Sequence, residues 1–225
     1  IGMVYQTNQN YKKVLEIFKI AKDYFFRNGN EINEILMFDY IGTMFVEECE
    51  RDSALYYYQQ VLDYAYKTSN NKYIARMNRK RSCVYLDLKQ YDKARHYAEV
   101  SINKEDQNNE SFWNYWVMAN CLLPKGKHDE AFGYVELLSA EHPETKLYYH
   151  NLMSLIHEKN EDYHSALQEA RQTNQLQEKI YKEAINNSIP YLQELHEKDK
   201  IENSYNKVLI QRLRLILTVI IVVFL

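Results

Sequence analysis

The chain has 225 residues, 46% of them hydrophobic, and a formal net charge of −3. This hydrophobic fraction is enough for a substantial core and disfavours general disorder. The 28 basic and 31 acidic side chains nearly balance, so we expect no nucleic acid to bind this region. Five glycines and three prolines are too few for the turns of an all-β fold or for glycine-rich phosphate-binding loops. The composition therefore predicts helices joined by short polar loops.

A sequence pattern recurs along residues 1–175. Each copy has a small residue, a large residue three positions later, a second and mostly small residue twelve positions later, and a further residue four beyond that. The copies begin at Gly2, Gly42, Ser82, Ala119 and Ser154, at intervals of 40, 40, 37 and 35 residues. Because a small residue at a crossing lets two helices approach closely, the pattern predicts antiparallel helix pairs that stack on one another.

Helix ends are predicted by local signals along the chain. Gly29 is expected to end the first long helix, and Asp52 to precede the next one. Loops are predicted at Ser69-Asn70-Asn71 and at Pro124-Lys125-Gly126-Lys127. Ser188 is predicted to cap a new helix with Pro190 in its first turn.

Three predicted second-helix openings resemble those of the tetratricopeptide repeat (TPR): Tyr91-Asp92-Lys93-Ala94, His128-Asp129-Glu130-Ala131 and Tyr163-His164-Ser165-Ala166. Pro143 also stands where that family has its repeat-closing proline. The chain departs from the family in lacking Trp at the repeat opening, in having Val14 for one alanine, and in its longer first two intervals. The resemblance implies an all-α fold, a right-handed superhelix of about five helix pairs over residues 1–188. An ordinary up-and-down helix bundle is the alternative.

The sequence carries no catalytic motif. The seven histidines form no HExxH or paired His/Cys cluster, and GxSxG, GxGxxG and P-loop motifs are missing. Cys49, Cys83 and Cys121 lie far apart in apolar contexts, which predicts buried free thiols. We therefore expect no enzyme activity, no cofactor and no metal site.

The TPR resemblance implies a binding groove on the concave side, lined by the second, fifth and ninth positions of each first helix. The candidate residues at these positions are Arg76, Arg79, Trp113, Trp116, Asn120, Tyr148 and Asn151. Arginine forks bind carboxylates and tryptophan offers a large rigid contact area, so we expect a peptide or protein partner, anionic partners included. The family's Lys and Asn clamp is not reproduced, and packing between repeats is the alternative for the two tryptophans.

The run from Arg76 to Arg81 carries four positive charges in six residues. It fits a solvated helix face, an anionic ligand or partner, or nucleic acid.

Residues 189–214 predict a polar connector helix. Its thin apolar stripe suits a connector or a weak coiled coil through which two copies could dimerise, and contains Leu192, Leu195, Tyr205, Val208 and Leu209. Residues 215–225 carry no charge and would cover about half of a ~30 Å hydrocarbon core, which predicts the start of a transmembrane helix. A buried capping helix is the alternative.

This layout resembles bacterial membrane-bound regulators, in which a TPR sensor region is joined by one membrane span to a histidine kinase or helix-turn-helix output. The resemblance implies a ligand-binding sensor region anchored in the membrane, with the repeats on the extracytoplasmic (periplasmic) side. A cytoplasmic, tail-anchored scaffold is the rival hypothesis. Lys207, Arg212 and Arg214 precede the apolar segment and favour a cytoplasmic flank by the positive-inside rule.

Overall fold

The computed structural model describes residues 8–104, 112–138 and 141–224, and over these ranges the chain is helical with no strand. The helices are α1 (Asn8–Arg27), α2 (Glu31–Glu47), α3 (Arg51–Lys67), α4 (Asn71–Asp87), α5 (Tyr91–Ile102), α6 (Phe112–Leu122), α7 (His128–Val135), α8 (Pro143–Lys159) and α9 (Tyr163–Phe224), with a short 3-10 turn at Leu123–Lys125. The chain divides into two units, residues 1–177 and residues 178–225.

The first unit consists of helix pairs. The pairs are α2 with α3, α4 with α5, α6 with α7, and α8 with the first part of α9. In the last pair the Ser154 hydroxyl donates to the carbonyl of Ala166 at 2.9 Å. Helix α1 stands in the position of the second helix of a further pair. The predicted first helix of that pair, around Gly2 and Tyr5, lies outside the described residues.

The four turns from α1 to α5 repeat every 20 residues. Gly29, Cys49, Ser69 and Lys89 each adopt a left-handed backbone, with φ between 53° and 65°. At each turn the next amide N–H reaches back five residues, as from Asn30 to the carbonyl of Phe25 at 2.9 Å. This hydrogen bond satisfies a carbonyl that the helix end leaves without an intrahelical donor. The result is a tight reversal that sets consecutive helices antiparallel.

Among the described residues, small residues of the pattern lie where helices cross. Ala54, Ser82, Ala94, Ala119 and Ala131 are all fully buried. Gly42 is also buried, and a Cβ added there would lie only 2.6 Å from the Tyr58 ring. The repeat pattern therefore marks the close contacts of the fold.

The prediction that a new helix begins at Ser188 is wrong. No new helix begins at Ser188, because α9 runs without interruption from Tyr163 to Phe224 and the Ser188 hydroxyl donates to the carbonyl of Ile185 within it. Pro190 lies inside this helix and costs it one backbone donor, a loss that surrounding water can offset at an exposed position. The predicted domain boundary at residue 188 thus falls within α9.

Cys49 is exposed instead of buried, because it stands at the left-handed turn after α2. Cys83 is partly buried and Cys121 is buried.

The predicted membrane segment, residues 215–225, coincides with the end of α9 up to Phe224, and Leu225 lies outside the described residues. Over the described ranges, no helix has a stretch long and apolar enough to cross a membrane.

The contact between Gly42 and Tyr58 gives a test of the crossing geometry. Gly42→Ala should lower the free energy of unfolding by about 1–3 kcal/mol, because the new methyl group overlaps the ring. Gly133→Ala is the matched control, since a Cβ there meets no atom within 4 Å and alanine favours the helix by about 0.5–1 kcal/mol. Urea unfolding of both variants measures the difference, and equal stability would show that the α2–α3 crossing is not as close as described.

Candidate functional site

The first helices of the pairs, α2, α4, α6 and α8, are neighbours along one side of the first unit. Asp39 of α2 contacts α4, and Tyr148 of α8 contacts α6. We call this side the first-helix face and define it by residues 39, 43, 76, 79, 80, 83, 113, 116 and 148. On α2, α4 and α6 these residues are spaced three or four positions apart, so they lie on one side of each helix.

A buried carboxylate lies at one end of this face. Asp39 is fully buried, and Lys80 Nζ donates to its Oδ1 at 2.5 Å and to the Thr43 hydroxyl at 2.7 Å. Arg76 Nη2 lies 2.7 Å from the other carboxylate oxygen. Since Arg76 and Lys80 are four residues apart, they project from the same side of α4. Two cations on α4 thus neutralise one carboxylate on α2 and tie the two first helices together.

Burial lowers the pKa of Lys80 by desolvating its ammonium group, and the Asp39 carboxylate opposes that shift. The ion pair with Asp39 therefore offsets part of the hydration free energy that the Lys80 ammonium group loses on burial.

Beside this network is a groove of about 280 Å³, which we call the first-helix groove. It is lined by Thr43, Val46, Tyr58, Arg79, Lys80, Cys83, Val84, Asp87 and Trp113. Tyr58 is 2% exposed, and its burial raises the pKa of its phenol. Burial also raises the pKa of Cys83 to about 11, which keeps the thiol protonated and a weak nucleophile near neutral pH. The groove thus offers a largely apolar surface with charged groups from α4.

An aromatic cluster continues the face from α6 to α8. The Trp113 ring centroid lies 4.9 Å from that of Tyr148 and 5.8 Å from that of Trp116, and Trp116 lies 5.4 Å from Tyr148. All three contacts are edge-on, the arrangement that the charge distribution of aromatic rings favours. Burial is also the main cause of a raised Tyr148 pKa. Trp116 therefore packs between repeats, while Trp113 both packs and lines the groove.

The predicted site residues do not all lie in one groove. Arg79 and Trp113 line the same groove, whereas Arg76 is engaged with Asp39. Asn120 donates to the carbonyl of Trp116 within its own helix at 2.8 Å. Asn151 is exposed, and no hydrogen bond of the described residues joins it to the others.

The basic run on α4 is not a solvated patch. Arg76 and Lys80 pair with Asp39, and the Arg81 guanidinium binds Gln59 Oε1 at 3.0 Å and stacks 4.2 Å from the centre of the Tyr97 ring. The charges of the basic run therefore lie in different surroundings. Of its four basic residues, Arg79 and Lys80 line the first-helix groove.

Lys80 was not among the predicted site residues, although it lines the groove and holds Asp39. A signal for it exists in the sequence. Asp39 is the one carboxylate in the stretch from Ile35 to Phe45, and a charge in such a setting needs a cationic partner.

No group of three or more His, Cys, Asp or Glu side chains with the geometry of a metal site occurs in the described ranges.

Comparison with known proteins gives a fold but not a family. No family model matches the chain, and no curated protein matches it in sequence. Among solved structures it is similar to TPR-like repeats of kinesin-light-chain type from Podosopora anserina, at 15% identity and a TM-score of 0.55, over 80% of this chain and 92% of that one. It is also similar to BtubC (BKLC) from P. vanneervenii, at 11% identity and a TM-score of 0.57, over 78% of this chain and 76% of that one.

The fold is therefore a TPR-like helical repeat, as the sequence predicts. Identities this low extend the likeness to the fold alone.

The Asp39 network predicts a strong coupling between two residues. Asp39→Asn should lower the free energy of unfolding by about 2–4 kcal/mol, because two cations lose their counterion. In the double variant with Lys80→Met the loss should be smaller than the sum of the single losses, by about 1 kcal/mol or more.

Chemical denaturation of the two single variants and the double variant completes this cycle. Arg95→Met is the control, because its ion pair with Glu99 is exposed and should contribute less than about 0.5 kcal/mol. Additive losses for Asp39 and Lys80 would contradict the proposed coupling.

Proposed function

We propose that this chain is a non-catalytic interaction scaffold that binds a peptide or protein partner on the first-helix face. The observation that carries the proposal is the first-helix groove, in which Arg79 of α4 and Trp113 of α6 line one space. Side chains of successive repeats that share one groove give an extended ligand several contacts in register. The groove is also open to solvent, so a partner can reach its lining.

The chemistry of the lining favours a partner with mixed character. Trp113 and Val46 supply apolar contact area, and Arg79 supplies positive charge beside Asp87, whereas the charge of Lys80 is offset by Asp39. Asp87 is itself paired with Arg51 at 2.9 Å, so its charge is partly offset. An anionic group on the partner is therefore favoured at the α4 side of the groove, and apolar side chains at the α6 side.

As a finer part of the proposal, the scaffold is the sensor region of a membrane-anchored signalling protein. Its repeats lie outside the cytoplasm, its uncharged segment 215–225 contacts the membrane, and its connector helix joins two copies. Support comes from the order of repeats, polar helix and apolar segment in the sequence. The rival is a cytoplasmic tail-anchored scaffold, supported by Lys207, Arg212 and Arg214 ahead of the apolar segment.

Cys49 provides a native probe of the side of the membrane, because its thiol is exposed. If the repeats are extracytoplasmic, a membrane-impermeant maleimide should label Cys49 in intact spheroplasts of the expressing cell. Cys49→Ser is the control for reaction at the other two thiols. Labelling that requires detergent lysis would instead favour the cytoplasmic scaffold.

Peptide binding separates a groove function from simple packing. Arg79→Ala should weaken binding of an acidic peptide selected from a pool by roughly 1.5–3 kcal/mol, because it removes a charge-assisted contact. The free energy of unfolding of the Arg79→Ala variant should change by less than about 1 kcal/mol, since the Arg79 side chain is only partly buried. Trp116→Ala should act the other way and cost about 2–4 kcal/mol of stability through lost packing.

Fluorescence titration alongside thermal melts measures both quantities. Arg95→Ala removes the same charge from the exposed face of α5 and should leave peptide binding unchanged. If wild type, Arg79→Ala and Arg95→Ala bind every peptide of the pool equally, the first-helix face is not the binding surface.

A further inference from the structure

A second and larger pocket, of about 570 Å³, lies between the end of α7, the first half of α8 and the first part of α9. We call it the α7–α9 pocket. All of its lining residues belong to the first unit, and it shares none of them with the first-helix groove.

The short helix α7 accounts for the space. Helix α7 has eight residues, whereas α3 and α5 have 17 and 12. The last turns of α3 and α5 pack on the following first helix, as Ala65 does in the cluster with Ile74 and as Ser101 does through its hydrogen bond with Asn114. Helix α7 ends at Val135, and the packing onto α8 is continued by Leu138, which clusters with Leu152 and Met153. The pocket lies beside this early helix end, with Val135 and Leu138 on its lining.

The floor of the pocket is apolar. Val135 and Leu138 are 1% and 9% exposed, and the partly buried Leu176 and Tyr149 complete the lining on this side. A volume of this size is in the range of pockets that hold small molecules. The floor suits one apolar side chain or ring.

The rim carries both signs of charge. Glu136 follows α7, Lys146 lies on α8 and Gln172 on α9, and all three are exposed. Over the described ranges, no ion pair or side-chain hydrogen bond engages any of these three residues, so they are available to a ligand. The wall behind them is fixed by His150, whose Nδ1 lies 2.6 Å from Glu169 Oε2.

We propose that the α7–α9 pocket binds a small zwitterion of the amino-acid type, with an amino and a carboxylate group beside an apolar side chain. Lys146 pairs with the carboxylate, Glu136 with the ammonium group, and the apolar side chain lies on Val135 and Leu138. An ion pair at each end together with an apolar floor selects against ligands that carry a single charge. Free amino acids and dipeptides share this chemistry.

Calorimetric titration tests the proposal with four probes: L-phenylalanine, N-acetyl-L-phenylalanine, L-phenylalaninamide and the dipeptide Phe-Leu. Phenylalanine or the dipeptide should bind with one site per chain, and each of the two blocked derivatives should bind about tenfold more weakly than phenylalanine. Tighter binding of the dipeptide than of phenylalanine would identify the dipeptide as the better ligand of this class.

Each ligand group is matched to one residue. Lys146→Met should weaken phenylalanine binding about tenfold and no longer distinguish phenylalanine from its amide. Glu136→Gln should no longer distinguish phenylalanine from its N-acetyl derivative. Gln172→Trp, which fills the mouth, should abolish binding, and thermal melts verify that each variant is folded.

Two controls separate this site from the first-helix face. Lys159→Met removes an exposed cation at the far end of α8, and Arg79→Ala alters the first-helix groove, so neither should change phenylalanine binding. The proposal is overturned if none of the four probes binds at millimolar concentration. It is equally overturned if Lys146→Met and Glu136→Gln both bind phenylalanine as the wild type does. Neither result bears on peptide binding at the first-helix face.

Discussion

The close approach of two antiparallel helices at a small residue is the constraint on which the repeat region depends. At the α2–α3 crossing Gly42 lies directly under the ring of Tyr58, with no room for a methyl group. That contact buries Tyr58, and Tyr58 in turn forms part of the lining of the first-helix groove. The crossing thus determines both the spacing of the helices and the position of a candidate binding surface, so that fold and site depend on the same few atoms.

Much of the fold could be predicted because its determinants are local. Small residues such as Ala94 and Ala131 recur at a fixed distance from large ones, and this spacing alone indicates which helix faces meet. The turns were harder to predict, because three of the four turns spaced 20 residues apart place a residue other than glycine in the left-handed conformation. Of the three non-glycine turn residues, only Ser69 lies in a predicted loop, and Cys49 is predicted to be buried. The hydrogen bonds of the turn stabilise a backbone that the residue itself does not prefer.

The candidate site could be predicted only in part. The resemblance to the TPR family assigns Arg79 and Trp113 to the first-helix face, because it supplies the groove positions of each first helix. The pairing of Arg76 and Lys80 with Asp39 depends instead on the distance between α2 and α4, which no spacing along the chain specifies. The α7–α9 pocket is a similar case, because it arises where a helix ends early, and helix ends are the least predictable feature of an all-helical sequence.

The division of charge on α4 changes what the first-helix face can recognise. Four cations in six residues suggest a strongly positive surface. However, Arg76 and Lys80 pair with the buried Asp39 carboxylate. Arg81 donates hydrogen bonds to Gln59 and Tyr97. Charges that are neutralised at short range contribute little to the field a few ångströms away, and salt screens what remains. If the first-helix face binds a partner as proposed, shape and aromatic surface contribute more to recognition than net charge does. In the proposed scaffold, discrimination between partners would then depend mainly on which side chains fit beside Trp113.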